Sequence, residues 1–301
     1  MTMNSRATQG ATLRIPDWLK SGIPDTDSLI SVTHTVSELG LNTICFEARC
    51  PNKRQCMSER VVTFLIMGRN CTRRCGFCNV AGASPEPIER DEPLRLGAAV
   101  SALGIEHVII TSVTRDDLAD GGASHYKACV RALRQLGRPL TVEVLTPDFL
   151  GDRGAIELVA ASGIDVFAHN IETTERLYGI IRDRADYQRS LDVLRSVRRS
   201  SETMVIKSGL MLGIGETLEE VKATVRHLRE AGSDIVTIGQ YMRPSRMHMP
   251  VMEYIHPAVF DGMADYARGL GLVAVSGPLV RSSFRARAAF QEAKVRRQRC
   301  A

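Results

Sequence analysis

No run in this 301-residue chain is apolar enough to cross a membrane. The longest stretches, VVTFLIM at 61–67 and LGLVAV at 270–275, fall far short of the ~18 consecutive apolar residues a membrane helix needs. The first twenty residues, MTMNSRATQGATLRIPDWLK, contain no apolar segment of the ~7 to 15 residues that marks an export signal. A cytoplasmic location and no membrane partner are expected. The glycine-rich string GIGET at 213–217 lacks the lysine and spacing of a phosphate loop, and no Ser/His/Asp hydrolase motif is visible. Internal repeats, low-complexity segments and an RNA-binding module are missing too. Neither sign of charge dominates: 39 Lys/Arg against 34 Asp/Glu gives +5, and residues 281–301, with seven Lys/Arg against Glu292, carry +6 beside a body of −1. A nucleic-acid groove spreads its charge over a face, so no nucleic-acid partner is expected. The tail is first a solvated helix end and second a docking patch for an acidic partner.

What the chain does have is cysteine in one place. Of eight cysteines, Cys45, Cys50, Cys56, Cys71, Cys75 and Cys78 fall within 34 residues, while Cys129 and Cys300 stand apart. A disulfide framework belongs to small secreted domains and is ill suited to a chain of this length with no export signal. Structural zinc wants four ligands, commonly with a nearby histidine, yet none of the seven histidines lies between His34 and His107. Two zinc sites of three cysteines each remain the weaker alternative. Cys71, Cys75 and Cys78 read C-x3-C-x2-C, with Phe77 before the last cysteine and a β-like run just upstream. Three thiolates on one loop suit three irons of a cubane cluster, leaving the fourth iron open to bind a reactant.

That spacing resembles the signature of radical S-adenosylmethionine enzymes. The upstream triad Cys45, Cys50 and Cys56, in CFEARCPNKRQC, makes the pair of triads similar to the lipoyl synthase family. Further matches run in order from RIPDWLK at 14–20 through TSVTRDDLADGGASHY at 111–126, HNIETTERLY at 169–178 and GQYMRPS at 239–245 to GPLVRSSF at 277–284. Phe46, Met57, Arg243 and Phe284 depart from the residues usual in the family, whereas every cysteine is kept.

The resemblance implies two 4Fe–4S clusters and S-adenosylmethionine. Cys71, Cys75 and Cys78 would hold the radical cluster, and Cys45, Cys50 and Cys56 an auxiliary cluster completed by a serine. Ser282 and Ser283 compete for that place, and motif position favours Ser283. Asp120, Gly121 and Gly122 form an ordinary turn on their own terms; the resemblance puts them near the S-adenosylmethionine amino group. Asn170 and Glu172 become candidates for its methionine or ribose, and Lys207 and Arg243 for a carboxylate or a backbone carbonyl. The implied activity is insertion of two sulfur atoms into an octanoyl chain on a lipoyl carrier protein or lipoyl domain, with an electron donor such as ferredoxin or flavodoxin. Another two-cluster sulfur-inserting enzyme and a non-catalytic metal-binding regulator are the rivals.

Apolar, β-rich runs at 61–67, 107–112, 141–145, 164–169, 203–211 and 234–239 alternate with helical patterns. They predict an α/β fold, a partial (β/α)6 barrel with extensions over its mouth. The expected divisions are 1–60 for an N-terminal extension with the auxiliary cluster, 61–270 for the barrel and 271–301 for a C-terminal extension. The clearest helix is 217–231, where Leu218, Val221, Val225 and Leu228 share a stripe, Thr217 and Glu220 form a capping box and Gly232 ends the turn. Tyr126, Cys129, Val130 and Leu133 fall at helical spacing, which makes Cys129 a core residue.

Overall fold

The computed structural model describes residues 14–20, 27–48, 50–58 and 61–300. Of the segments matched above, only Arg49 lies outside the described residues. One sheet of eight strands runs β1-β2-β5-β6-β7-β8-β9-β10. Its members are β1 (Asn42–Thr43), β2 (Thr63–Ile66), β5 (His107–Ser112), β6 (Thr141–Leu145), β7 (Val166–Ala168), β8 (Val205–Leu212), β9 (Ile235–Gln240) and β10 (Val273–Gly277). Two short strands between β2 and β5, β3 (Asn70–Cys71) and β4 (Ala81–Gly82), pair with each other. β1 is antiparallel to β2, and all other neighbours in the large sheet are parallel.

Parallel strands walled by helices are buried on both faces, and β2, β7 and β9 are buried at every position. The helices that enclose the sheet follow from the sequence between strands. After α1 (Asp27–Glu38), α2 (Ile44–Glu47) and α3 (Lys53–Ser58) come α4 (Glu92–Ala102), α5 (Ala123–Arg134), α6 (Arg153–Ala160), α7 (Glu175–Ile181), α8 (Tyr187–Ser200), α9 (Leu218–Glu230), α10 (Pro257–Gly269) and α11 (Ala286–Cys300). In α9 the Thr217 hydroxyl accepts from the Glu220 amide, and the Glu220 carboxylate accepts from the Thr217 amide at 2.8 Å. Val221, Val225 and Leu228 are buried, whereas Leu218 points outward. Cys129 is fully buried on α5 beside Val130 and Leu133.

Two features differ from the six-strand expectation. The sheet gains a seventh parallel strand, β10, from residues assigned by sequence to the C-terminal extension, because VAVSG pairs in full register with β9. The extension then divides. Residues 278–285 stay at the C-terminal ends of the strands, the mouth, but α11 crosses the opposite end. There Ala289, Ala293 and Phe290 pack on Val166, Val205, Ile235 and Val273, the first residues of four strands. Apolar side chains exposed at the bottom of the open barrel are thereby covered. Three tail arginines are committed there, Arg287 to Glu106, Arg296 to Glu292 and Arg297 to Asp234.

Candidate active site

The chain leaves β2 through Met67, held at φ 67° with its amide on the Glu92 carboxylate, and enters the Cys71–Cys78 loop. Arg73 anchors this loop from below. Its guanidinium is 3% exposed and lies 2.9 Å from Asp116, in the loop after β5, and 2.7 Å from Asp148, in the loop after β6. Asp148, fully buried, also accepts from Arg189 of α8 at 2.8 Å. The Cys71 sulfur accepts the amides of Arg73 and Thr114 at 3.4 and 3.3 Å. On its other side the loop meets α7, where the Gly76 amide donates to the Ile181 carbonyl at 2.8 Å. It also meets the segment after β9, where the Met249 amide donates to the Gly76 carbonyl at 2.8 Å. His248 Nε2–H donates to the Cys78 carbonyl at 2.9 Å. Phe77 packs with Leu177, Ile181, Tyr241 and Met249.

The two cysteine triads adjoin. Asn79, directly after Cys78, donates to the Glu47 carbonyl between Cys45 and Cys50 at 2.7 Å. Cys45 and Cys56 are buried on α2 and α3, and Cys50 is half-buried between them. Asn52 donates from its side chain to the Leu279 carbonyl, so the upstream loop touches the C-terminal RSSF segment. Arg281 of that segment lies within electrostatic reach of Cys50, and burial lowers its pKa. Ser282 donates to Asn170 Oδ1 at 3.3 Å. The Ser283 hydroxyl has no hydrogen-bond partner among the described residues.

At the end of β7, Asn170 and Glu172 close the circle. Glu172 sits at φ 66°, a conformation costly for a residue with a Cβ. It is pinned to β8 by its amide on the Gly209 carbonyl and its carbonyl on the Met211 amide, each at 2.9 Å. Burial raises the Glu172 pKa, opposed by Arg182. Arg182 itself donates to the Asn170 carbonyl at 2.9 Å and to the Tyr178 hydroxyl. Its charge also acts on Cys75. His169 is 1% exposed. Its Nδ1–H donates to the Thr146 carbonyl at 2.9 Å, leaving Nε2 buried without a partner among the described residues. Burial holds its pKa down at about 4. The hydroxyls of Thr173 and Thr174 are likewise buried and unpartnered, so this strand end offers polar atoms that the folded chain does not itself satisfy.

The remaining candidates have intramolecular work. The Asp120 carboxylate accepts the amides of Gly122 and Ser124 at 2.9 and 2.8 Å, with Gly121 and Gly122 at φ 59° and 90°. This is a turn that starts α5. Lys207 is 1% exposed and ion-paired at 2.6 Å with Glu143, which also accepts from His107 at 3.2 Å. Glu143 is buried, and its pKa is pulled down to about 2, Lys207 being the largest attraction that overcomes burial. Arg243 donates to the carbonyls of His248 and Arg246. Met57 is fully buried in the core, and Phe46 packs against it beneath Lys53.

Sequence reasoning did not find Arg73, Asn79, Asp148, His169 or Arg182. Arg73 and Asn79 belong to the cysteine motif's own string, but their partners are 32 to 75 residues away, and no local pattern marks them.

This donor set fits iron–sulfur clusters. Among the described residues none of the six cysteines forms a disulfide. Burial raises the thiol pKa of Cys75, of Cys78 to about 12 and of Cys45 to about 11. None of these three is therefore a ready nucleophile, and metal charge is what favours their thiolates. Among the described residues no three His, Cys, Asp or Glu gather around the position of a single ion. A cubane cluster does not require that, because it seats each thiolate on its own iron.

Comparison with known proteins agrees. Residues 65–228 match the radical SAM superfamily, and residues 1–50 match the N-terminal domain of lipoyl synthase. The chain is 47% identical to a lipoyl synthase of Caldicellulosiruptor saccharolyticus over 89% of this chain and 95% of that one. It is 50% identical to that of Methylococcus capsulatus over 92% and 87%. It is 46% identical to that of Nitratidesulfovibrio vulgaris strain Hildenborough over 96% of each chain. Among solved structures, the fold is similar to Streptococcus suis SuiB bound to S-adenosylmethionine. The TM-score is 0.56 at 13% identity, over 74% of this chain and 54% of that one. With anSMEcpe bound to AdoMet and a peptide it is 0.51 at 10% identity, over 70% and 62%. No described helix is long and apolar enough to cross a membrane. With its two cysteine triads meeting at the mouth of a parallel barrel, the chain belongs to the lipoyl synthase family of the radical S-adenosylmethionine superfamily, sulfur-inserting enzymes that work with a 4Fe–4S cluster and S-adenosylmethionine.

Proposed function

We propose that this chain inserts sulfur at C6 and C8 of an octanoyl group carried on a lysine of a lipoyl carrier protein or lipoyl domain, using two 4Fe–4S clusters. Cys71, Cys75 and Cys78 would hold the first; Cys45, Cys50, Cys56 and Ser283 the second. Asn170 and Glu172 are assigned to S-adenosylmethionine, with Asp120, Gly121 and Gly122 shaping the neighbouring turn and Phe77 flanking the site. When bound, these groups supply one-electron cleavage of the sulfonium, hydrogen abstraction from carbon and the sulfide that is transferred. The N-terminal extension to residue 60 carries the second cluster, and a low-potential carrier such as ferredoxin or flavodoxin supplies electrons in the cytoplasm.

The supporting observation is a circle of contacts at one barrel mouth. It runs from Asn79 to Glu47, from Asn52 to Leu279, from Ser282 to Asn170, and from Arg182 back to Cys75. It joins the two triads, the serine motif and the β7 end. Arg73 fixes the cysteine loop against the loops after β5 and β6, so the loop's position is set before any cofactor binds. The burial that raises the cysteine pKa values also keeps water from a site whose chemistry water would quench. A hard hydroxyl oxygen at Ser283 is a poorer partner for iron than a thiolate, which makes that corner the releasable one.

The test is anaerobic reconstitution of wild type, Cys71→Ala and Cys50→Ala. Wild type should hold about eight irons per chain, four for each cluster, and yield 5′-deoxyadenosine and a doubly thiolated octanoyl-lysyl peptide. Cys71→Ala should lose both products, and Cys50→Ala only the thiolated peptide. Zinc in place of iron, or full thiolation by Cys50→Ala, would overturn the proposal.

A further inference from the structure

Cleaving each sulfonium consumes one electron, and tunnelling falls steeply with distance, so a donor must reach the outward side of the Cys71–Cys78 loop. That side is held by two exposed segments. Gly76 is hydrogen-bonded to Ile181 and Met249. Beside these lie Ile180, 65% exposed, and Met247, 92% exposed, the latter the most open large apolar side chain described. Arg74, Arg184, Arg243 and Arg246 belong to the same three segments, and all are exposed. Among the described residues the guanidiniums of Arg74, Arg184 and Arg246 meet no carboxylate, and Arg243 reaches only backbone carbonyls. The acidic groups beside them, Asp183 and Asp186, are turned onto the amides of Arg74 and Arg189. Exposed apolar side chains beside arginines that meet no carboxylate are the pattern of a protein interface with an acidic partner.

We propose that this face, Ile180 and Met247 with the arginines of the same segments, is where a small acidic one-electron carrier protein docks. The proposal rests on the assignment of Cys71, Cys75 and Cys78 as cluster ligands. One electron passes from the carrier to the oxidised cluster; the carrier is oxidised by one, the cluster reduced by one, and no bond is broken in the transfer. The carrier is favoured over the lipoyl carrier substrate because the face lies outside the loop, not along the circle that joins both triads.

The test uses reconstituted holoenzyme with reduced flavodoxin as the probe. Arg184→Asn with Arg246→Glu is the main variant, asparagine being chosen because residue 184 has φ 54° and asparagine tolerates that region. Stopped-flow reduction of the cluster should slow by about tenfold at low salt, with the gap narrowing as salt is added. Met247→Ser should weaken flavodoxin binding, measured by calorimetry, by several-fold. With dithionite, which needs no docking, both variants should make 5′-deoxyadenosine as wild type does. Dithionite activity in wild type tests the ligand assignment separately. Unchanged flavodoxin kinetics, an equal loss with dithionite in both variants, or an effect confined to the KM of the octanoylated carrier domain would overturn the proposal.

Discussion

Ser282 and Ser283 are neighbours with different surroundings. Ser282 is spent on Asn170, while the Ser283 hydroxyl has no hydrogen-bond partner among the described residues, in a segment whose Leu279 carbonyl meets Asn52 of the upstream loop. Ser283→Ala should therefore keep 5′-deoxyadenosine production and lose thiolation by at least tenfold. Ser282→Ala should lower both modestly; equal effects of the two on product ratio, read by mass spectrometry, would refute the distinction. His169 carries a pH consequence. The unfolded side chain takes up a proton near its usual 6.5 and the folded one only near about 4. The unfolded state thus binds more protons between those values, and stability rises with pH across that window. The loss on acidification is complete below pH 4 and amounts to roughly 3 kcal/mol. Urea titrations from pH 7 to 4 should show a shallower fall for His169→Gln than for wild type. Sequence gave no warning of this, because an unpartnered imidazole nitrogen exists only once the strand end is buried.

At the scale of elements, α9 was readable because its signals are local: a capping box at one end, a 3.6-residue stripe, and Gly232 at the other. β10 was less readable, since the apolar run at 270–275 is too short to separate a strand from a buried helix end and only pairing with β9 reveals the strand. Its neighbour β9 yields a test. A Cβ on Gly239 would stand 2.0 Å from the Val280 carbonyl oxygen, and backbone cannot yield as a side chain could. Gly239→Ala should push residues 278–283 off the sheet, costing about 1–3 kcal/mol. It should abolish thiolation while iron at the Cys71–Cys78 loop and 5′-deoxyadenosine formation persist. Retained thiolation would show that the segment's seat on β9 does not matter.

For the whole molecule, the two ends of the barrel divide the labour. The mouth gathers both triads, and α11 seals the opposite end with Ala289, Ala293 and Phe290. Barrel chemistry at the strands' C-terminal ends was foreseeable from the cysteine loop following β2. That the basic tail would double back to the far end was not, because its charge suggested first a solvated helix end and second a docking patch, rather than ion pairs to Glu106 and Asp234. Ala293 is 1% exposed, so Ala293→Asp buries an unpaired carboxylate and should destabilise the fold by about 2 kcal/mol or more, seen as a lower melting temperature. Turnover per folded molecule should be unchanged.

The central claim is that the upstream cluster is consumed as the sulfur source. Protein reconstituted with 34S-sulfide should be given octanoyl-lysyl peptide and S-adenosylmethionine for a single turnover in unlabelled buffer, and the peptide weighed by mass spectrometry. The account predicts a product carrying two 34S atoms. A product whose sulfur is unlabelled, or no thiolated product beside abundant 5′-deoxyadenosine, would contradict it.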